Sequence, residues 1–281
     1  MQTIAIFSDI HGNATAFKAM LADAKAQGAT DYWFLGDLLM PGPGVAEIWD
    51  LLEAIHPSQL VRGNWDDLVI HGARGEIDLK KPSHVYFARL AQFVAERLPK
   101  SALATMAAWP LRQTVTVGKL NFSLSHNLPK LNMGQALFPT NSSRKFDQLF
   151  LPETDVAVYA HVHHQLLRYG SDERIILNPG SVGEPFNGQA KLQADTRAQY
   201  LILQVDEQGL AGLNFRHVAY DRKAEWRAAQ AAELPYLAIY HRHLKTGRVY
   251  THNQEMLAAA NAKYNYVAEC QQYQAQFAHN K

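Results

Sequence analysis

The chain has 281 residues, a formal net charge of +1 and 47% hydrophobic residues, so it can bury the core of one large domain, with or without an accessory piece. This charge gives no long-range attraction to a nucleic-acid polymer, and the sequence has no run of about 18 apolar residues that would cross a membrane. A single cysteine, Cys270, excludes an intramolecular disulfide, and the amino terminus lacks a signal-peptide pattern, so we expect a cytoplasmic protein.

The first sixty residues alternate between strand and helix patterns, which predicts βαβ units. The helices end at the breakers Gly28 and Pro57. Gly12 and Asn13, before the first helix, suit either an anion-binding turn or an ordinary helix cap, and both interpretations stay open here. In chain order we predict a strand at 3–7, a helix at 14–27, a strand at 30–35 and a helix at 45–55.

The middle of the chain changes from helical to strand patterns. Residues 66–109 carry helical periodicity, with breaks at Pro82 and Pro99. Short apolar runs then predict a second set of strands, and the whole indicates two packed sheets with helices outside. These strands are predicted at 111–117, 120–125, 156–160, 166–169, 174–177, 200–205 and 210–218.

After Tyr220 the sequence becomes helical again. We predict helices at 221–232 and 234–244 and a long helical segment at 254–277. We therefore divide the chain into a catalytic domain, residues 1–219, and a C-terminal helical extension, residues 220–281, that acts as a cap or a dimer element. A basic cluster in this extension suits either contact with substrate phosphates or a solvated helix face; it comprises His241, Arg242, His243, Lys245 and Arg248.

Five short polar clusters hold side chains that bind metals. Four of them follow apolar runs that read as strands, and the fifth follows a shorter run at 59–61. Because strand ends of an open α/β sheet converge on one crevice, these distant clusters are expected to meet. The clusters are Asp9-Ile10-His11, Gly36-Asp37, Gly63-Asn64-Trp65-Asp66, Ser125-His126-Asn127 and His161-Val162-His163.

The side chains in these clusters define the chemistry of the expected site. Carboxylate, imidazole and amide oxygen together form a mixed nitrogen and oxygen ligand set, which suits manganese, iron, zinc or cobalt rather than calcium. Asp37 is placed to bridge two ions, and Cys270 lies far from the clusters in sequence, which argues against a cysteine-based zinc site. Two ions roughly 3.5–4 Å apart clamp a phosphate and activate a water.

The order of the clusters resembles the calcineurin-like metallophosphoesterase family, whose signature reads D-x-H, G-D, G-N-H-[DE], H and G-H-x-H. The turn Asn178-Pro179-Gly180-Ser181-Val182-Gly183 is similar to that of its small bacterial and archaeal phosphodiesterase branch. The resemblance covers roughly residues 1–218 and implies a four-layer αββα sandwich, here with a C-terminal helical cap. It implies a first metal on Asp9, His11, Asp37 and His163, and a second on Asp37, Asn64, His126 and His161.

The resemblance also implies in-line hydrolysis by a hydroxide held between the metals, with Asp37, Asn64 and His126 as catalytic residues. Manganese is the expected metal, with iron, zinc, cobalt or nickel as alternatives. For substrate contacts we select Asn13, Arg62 and Asn127, although a surface salt bridge would explain Arg62 equally well.

Two positions depart from the family pattern. Trp65 stands where the family has a histidine that is a candidate general acid, and an indole cannot supply a titrating proton. Ala160 replaces the glycine of G-H-x-H, which need not disturb the ligands. Without the acid, we expect good leaving groups to be favoured over alkyl esters. For Asp66, beside Trp65, we predict a hydrogen bond that supports the ligands.

The expected function is a dinuclear-metal phosphodiesterase that acts on small nucleotide-type substrates, with dinucleoside polyphosphates such as diadenosine tetraphosphate as the leading class. The alternatives are a phosphomonoesterase, a protein phosphatase, or a non-catalytic scaffold like the retromer subunit that shares this fold. The complete set of seven metal-ligand side chains argues against the scaffold. Neither a membrane nor a nucleic-acid polymer is expected as a partner, and a homodimer is possible from the family resemblance.

Overall fold

A computed structural model describes residues 1–277. Its first sheet has the strand order β10-β9-β1-β2-β3. The three strands β1 to β3 run parallel, and β9 and β10 are antiparallel to their neighbours. The strands are β1 (Gln2–Phe7), β2 (Asp31–Phe34), β3 (Gln59–Leu60), β9 (Ala198–Val205) and β10 (Leu210–Val218).

The second sheet has the order β4-β5-β6-β8-β7. Its central strands β5, β6 and β8 are parallel, and the outer strands β4 and β7 are antiparallel. All the predicted strands are present, with ends that differ by two residues at most. The strands are β4 (Arg112–Val117), β5 (Leu120–Ser125), β6 (Val156–Val158), β7 (Gln165–Tyr169) and β8 (Ile175–Pro179).

The two sheets pack face to face. Side chains alternate along a strand, so Ile4 and Ile6 of β1 join the core between the sheets, whereas Ala5 and Phe7 join the core beneath the helices. The rings of Trp33 and Phe122 meet between the sheets, with centroids 5.3 Å apart.

Helices cover the outer faces of both sheets. The helices before β4 join the core on the outer face of the first sheet, and a smaller core around Phe146 and Tyr159 covers the second. The predicted α/β fold with two sheets between helical layers is therefore confirmed. The helices before β9 are α1 (Ala14–Ala26), α2 (Ala46–Ile55), α3 (Asn64–Ala73), α4 (Pro82–Ala95), α5 (Ala102–Ala108), α6 (Ser143–Phe146) and α7 (Ala190–Gln193).

The C-terminal helices share the core of the first sheet. Leu257, Tyr266 and Cys270 belong to the same buried cluster as Phe7. The prediction of one long helical segment at 254–277 was wrong, because Asn265 adopts a left-handed conformation (φ 58°) that ends one helix and begins another. These helices are α8 (Arg222–Ala231), α9 (Leu237–Thr246), α10 (Gln254–Tyr264) and α11 (Tyr266–Ala275).

Helix α3 begins two residues earlier than predicted. The side chain of Asp66 accepts a hydrogen bond from the backbone N–H of Gly63 (2.8 Å), so the first turn is closed at Asn64 rather than at residue 66. Asn64 and Trp65 therefore lie in the first turn of a helix. Within residues 1–277, none of the helices has the length and apolar character that a bilayer crossing requires.

Candidate metal centre

The polar clusters lie at the ends of strands in both sheets, as the sequence predicted. Their side chains form two groups, within each of which one possible ligand atom per residue lies within 4.8 Å of the others. The loops after β1, β2, β5 and β6 supply these residues. The first group is Asp9, His11 and His163, and the second is Asp37, His126 and His161.

Short distances occur within each group and also between the two groups. His163 Nε2 lies 3.0 Å from Asp9 Oδ1, and His126 Nε2 lies 3.2 Å from Asp37 Oδ2. Asp37 Oδ2 also lies 3.8 Å from His11 Nε2 in the first group. Asn64 adds an amide oxygen, because its Oδ1 lies 3.2 Å from His126 Nε2. Asp37 therefore stands between the groups.

Three of the imidazoles are oriented by backbone carbonyls. The Nδ1 atoms of His11, His126 and His163 donate to the carbonyl oxygens of Met40 (2.8 Å), Leu35 (2.6 Å) and Glu184 (2.6 Å), respectively. A carbonyl oxygen only accepts, so in the neutral rings the proton is on Nδ1 and the lone pair is on Nε2. This is the arrangement that metal-binding histidines adopt.

Two unpaired features at the first group fit a cation. His11 Nε2 and His163 Nε2 face each other at 3.2 Å, so two neutral rings would oppose their lone pairs. Asp9 Oδ1 is buried and has no hydrogen-bond partner among residues 1–277, whereas Asp9 Oδ2 accepts from Ser8 Oγ (2.6 Å). A buried carboxylate oxygen costs free energy unless a cation or donor meets it. The residues therefore suit a divalent ion.

Neighbouring carboxylates raise the pKa of two imidazoles in the site. Burial alone would lower the pKa of His11, but the charges of Glu184, Asp37 and Asp9 outweigh it and raise that pKa to about 10. For His126, burial is likewise outweighed, mainly by Asp37, and the pKa rises to about 9. A site that stabilises protons on two buried imidazoles also stabilises metal cations in their place.

The loops that carry the ligands have unusual backbone conformations. Five residues of the two groups have positive φ, although Asp and His adopt this left-handed region only occasionally. Such conformations cluster at functional sites, where the surrounding structure enforces them. The φ values are 53° for Asp9, 51° for His11, 62° for Asp37, 67° for His161 and 56° for His163.

Asp66 supports the ligand loops, which confirms its predicted hydrogen-bonding role. Its Oδ2 accepts from the backbone N–H of Asp37 (3.0 Å), and its Oδ1 accepts from that of Leu38 (3.0 Å). Because Asp66 also binds the N–H of Gly63, one buried carboxylate holds the loop after β2 against the start of α3.

The turn after β8 also holds the site together, which the sequence did not reveal. Ser181 Oγ donates to the carbonyl of Asp9 (2.8 Å), and Asn178 Nδ2 donates to that of Ala160 (2.9 Å). Glu184, at the end of this turn, orients His163 through its carbonyl oxygen. The family resemblance of this turn implies no role for its side chains, but its position after a predicted strand is a signal that it lies near the candidate metal ligands.

The predicted substrate-contact residues make internal contacts. Arg62 forms a salt bridge with Asp67 (Nε–Oδ1 2.7 Å), which was the alternative to a substrate contact. It also donates to two backbone carbonyls. Asn13 Oδ1 accepts from the N–H of Ala16 (3.0 Å), so Asn13 is the cap of α1. Asn127 Nδ2 donates to the carbonyl of Gly134 (3.0 Å). Substrate contacts by these three residues stay predictions.

The basic cluster of the C-terminal helices divides in two. His241, Arg242, Lys245 and Arg248 are exposed, as a solvated face would be. His243 is instead buried, and its Nε2 lies 3.5 Å from a carboxylate oxygen of Glu184. A residue of the extension therefore contacts the turn that orients His163.

Trp65 lies directly beside the first group. Its ring meets the ring of His11 edge-on, with centroids 5.0 Å apart, and also meets the ring of Phe87 edge-on, at 5.3 Å. Its backbone N–H donates to Asp37 Oδ1 (2.8 Å). The position that the family gives to a histidine thus borders the candidate metal centre, but its indole side chain has no titrating proton.

Known proteins share this chain's fold and sequence pattern. The profile of the calcineurin-like phosphoesterase superfamily domain matches residues 2–208. An uncharacterised protein of Methanocaldococcus jannaschii is 27% identical over 242 residues, which span 83% of this chain and 93% of that protein.

Two solved structures are similar in fold. A metallophosphoesterase from Sphaerobacter thermophilus has a TM-score of 0.64 and 24% identity, covering 88% of this chain and 100% of that one. A hypothetical protein from Pyrococcus horikoshii has a TM-score of 0.69 and 20% identity, covering 88% and 99%. On the profile match, the chain belongs to the calcineurin-like phosphoesterase superfamily and is a metal-dependent phosphoester hydrolase.

Proposed function

We propose that this protein is a dinuclear phosphodiesterase that hydrolyses nucleotide-type phosphoanhydride or phosphodiester bonds, with dinucleoside polyphosphates as its leading substrate class. The observation that carries the proposal is the position of Asp37 Oδ2, 3.2 Å from His126 Nε2 and 3.8 Å from His11 Nε2, between two groups of ligand atoms. Two ions held there would activate water and neutralise phosphate oxygens.

The chain's own residues would prepare this chemistry. Asp9, His11, Asp37 and His163 would hold the first ion, and Asp37, Asn64, His126 and His161 would hold the second. The backbone N–H of Trp65 fixes Asp37 Oδ1 (2.8 Å), which leaves Oδ2 directed at the imidazoles. Manganese is our preferred metal, while iron, zinc, cobalt and nickel suit the same nitrogen and oxygen ligands.

We also propose that residues 220–281 form a cap on the catalytic domain. The contact between His243 and Glu184 supports this role, because it joins α9 to the turn that orients His163. The cytoplasmic location and the homodimer stay predictions from the sequence.

The metal requirement gives the direct test. Protein stripped with a chelator is expected to lose hydrolysis of bis(p-nitrophenyl) phosphate and to regain it when Mn²⁺ is added. Metal analysis of the reloaded protein should approach two ions per chain. If folded protein bound no Mn²⁺, Fe²⁺, Zn²⁺ or Co²⁺ at near-stoichiometric level, the phosphodiesterase would be excluded and the scaffold alternative would take its place.

The absence of a proton donor at Trp65 predicts that the enzyme prefers leaving groups of low pKa. Alkoxides need protonation to leave, whereas nitrophenolates and nucleoside phosphates leave without it, so the wild-type rate should fall steeply as the leaving-group pKa rises. Trp65→His would place a proton donor beside the metal centre and is expected to accelerate alkyl esters by about tenfold or more, with little effect on aryl esters. Rates across a series of phosphodiesters would measure both slopes. Equal wild-type rates for alkyl and aryl esters would contradict this account.

A further inference from the structure

A cavity opens at the same edge of the fold as the candidate metal centre. It has a volume of about 240 Å³, and His164 and Gln165 line one side. Strand β7 begins at Gln165, two residues after the ligand His163, and pairs there with Pro179 at the end of β8. The cavity is therefore built on the loop that carries two metal ligands.

One stretch of backbone joins the cavity wall to the first metal group. Phe186 lines the cavity, and its N–H donates to the carbonyl of His163 (3.2 Å). Two residues earlier, the carbonyl of Glu184 accepts from Nδ1 of His163 (2.6 Å). A ligand with its phosphates at the metal centre would therefore have this cavity beside it.

The lining combines ring surfaces with an unused acceptor. The rings of His164 and Phe186 meet at 5.3 Å, and Pro185 adds a further apolar surface. His164 Nδ1 donates to the carbonyl of Val162, which leaves Nε2 as an acceptor. Gln199 also lines the cavity, but its Oε1 is buried against Gly180 and does not face a ligand.

His217 and Asp195 of the lining are already paired. His217 Nδ1 lies 2.8 Å from Asp195 Oδ2, and its Nε2 lies 2.8 Å from Gln165 Oε1. A ligand therefore meets apolar rings and Nε2 of His164, an acceptor that lacks a donor. A planar heterocycle with an exocyclic amino group offers both.

We propose that this cavity binds the base of a nucleotide substrate and prefers a base with an exocyclic amino group facing Nε2 of His164, such as adenine. The volume is below the roughly 300–1,000 Å³ that encloses a drug-sized ligand, so it suits one end of a larger molecule. The inference rests on the proposed function only in placing the ligand's phosphates at the metal centre.

The kinetic test compares two substrates in Phe186→Ala. The ratio of kcat/KM for diadenosine tetraphosphate to that for bis(p-nitrophenyl) phosphate is expected to fall about tenfold, through KM, because stacking of a base on an aromatic ring is lost. Phe138→Ala is the matched control, since Phe138 also contacts the ring of His164 (5.1 Å) but does not line the cavity. An unchanged ratio in Phe186→Ala, or an equal fall in Phe138→Ala, would overturn the base site.

A binding test separates this inference from the proposed function. Adenosine monophosphate is expected to bind wild-type protein more tightly than uridine monophosphate in calorimetric titrations. His164→Phe keeps a ring at this position but removes the acceptor, so it should reduce that difference. This result would support the cavity even if neither substrate were hydrolysed. Equal binding of the two nucleotides to wild-type protein would refute the preference for an amino group, whatever the phosphodiesterase assay showed.

Discussion

Replacing Asp37 with asparagine is expected to reduce metal-dependent hydrolysis of bis(p-nitrophenyl) phosphate by about a thousandfold or more. Asp37 Oδ2 is the carboxylate oxygen that faces both groups, at 3.2 Å from His126 Nε2 and 3.8 Å from His11 Nε2. Metal ions supply several kcal/mol of transition-state stabilisation, and a loss of about 4 kcal/mol corresponds to about a thousandfold in rate. The variant should also retain fewer ions than the wild type.

The control must separate the loss of a ligand from the loss of the fold. Asp50→Asn makes the same chemical change at an exposed position of α2 and should keep both activity and metal content. Asp37→Asn should remain folded, because asparagine keeps an oxygen that can accept from the N–H of Trp65. A variant that retained two ions and wild-type activity would remove Asp37 from the centre.

Strand-end positions made the meeting of the ligands predictable. Asp9 and Asp37 each follow a buried parallel strand, and adjacent parallel strands end at one edge, so their convergence needed no knowledge of the loops. Their left-handed backbone could not be predicted in this way. It depends on hydrogen bonds between loops, such as Asp9 N–H to the carbonyl of Gly36 (2.9 Å) and His11 N–H to that of Asp37 (3.1 Å).

The supporting contacts were harder to predict than the ligands. Glu184 acts on His163 through a backbone carbonyl, which every residue type carries, so its identity gave no signal. His243 looked like one member of a basic surface, because helical periodicity does not show which face meets a buried carboxylate. At Asn265 the chain turns without Gly or Pro, so the sequence carries no breaker there. The turn lets α10 and α11 each pack on α4, a tertiary contact that helical periodicity does not show.

Substituting Gly63 with alanine is expected to disrupt the metal centre through lack of space alone. Gly63 has an extended backbone (φ −88°, ψ 175°) that alanine adopts readily. A Cβ there would lie 2.1 Å from Asp37 Oδ1 and 2.6 Å from the Asp37 nitrogen. Relief of this overlap requires movement of Asp37 or of the start of α3, and a displacement of about 1 Å in a catalytic group can cost about a hundredfold in rate.

Two measurements distinguish this local displacement from general destabilisation. Overpacking costs roughly 1–3 kcal/mol, so denaturant unfolding should show Gly63→Ala still folded, while kcat falls about a hundredfold and metal retention weakens. Gly188→Ala is the matched control, since a Cβ at that exposed glycine meets nothing within 4 Å. If Gly63→Ala kept full activity and two ions, Asp37 Oδ1 would not occupy the position seen here, and the close approach of the two loops could not be what orients the Asp37 carboxylate.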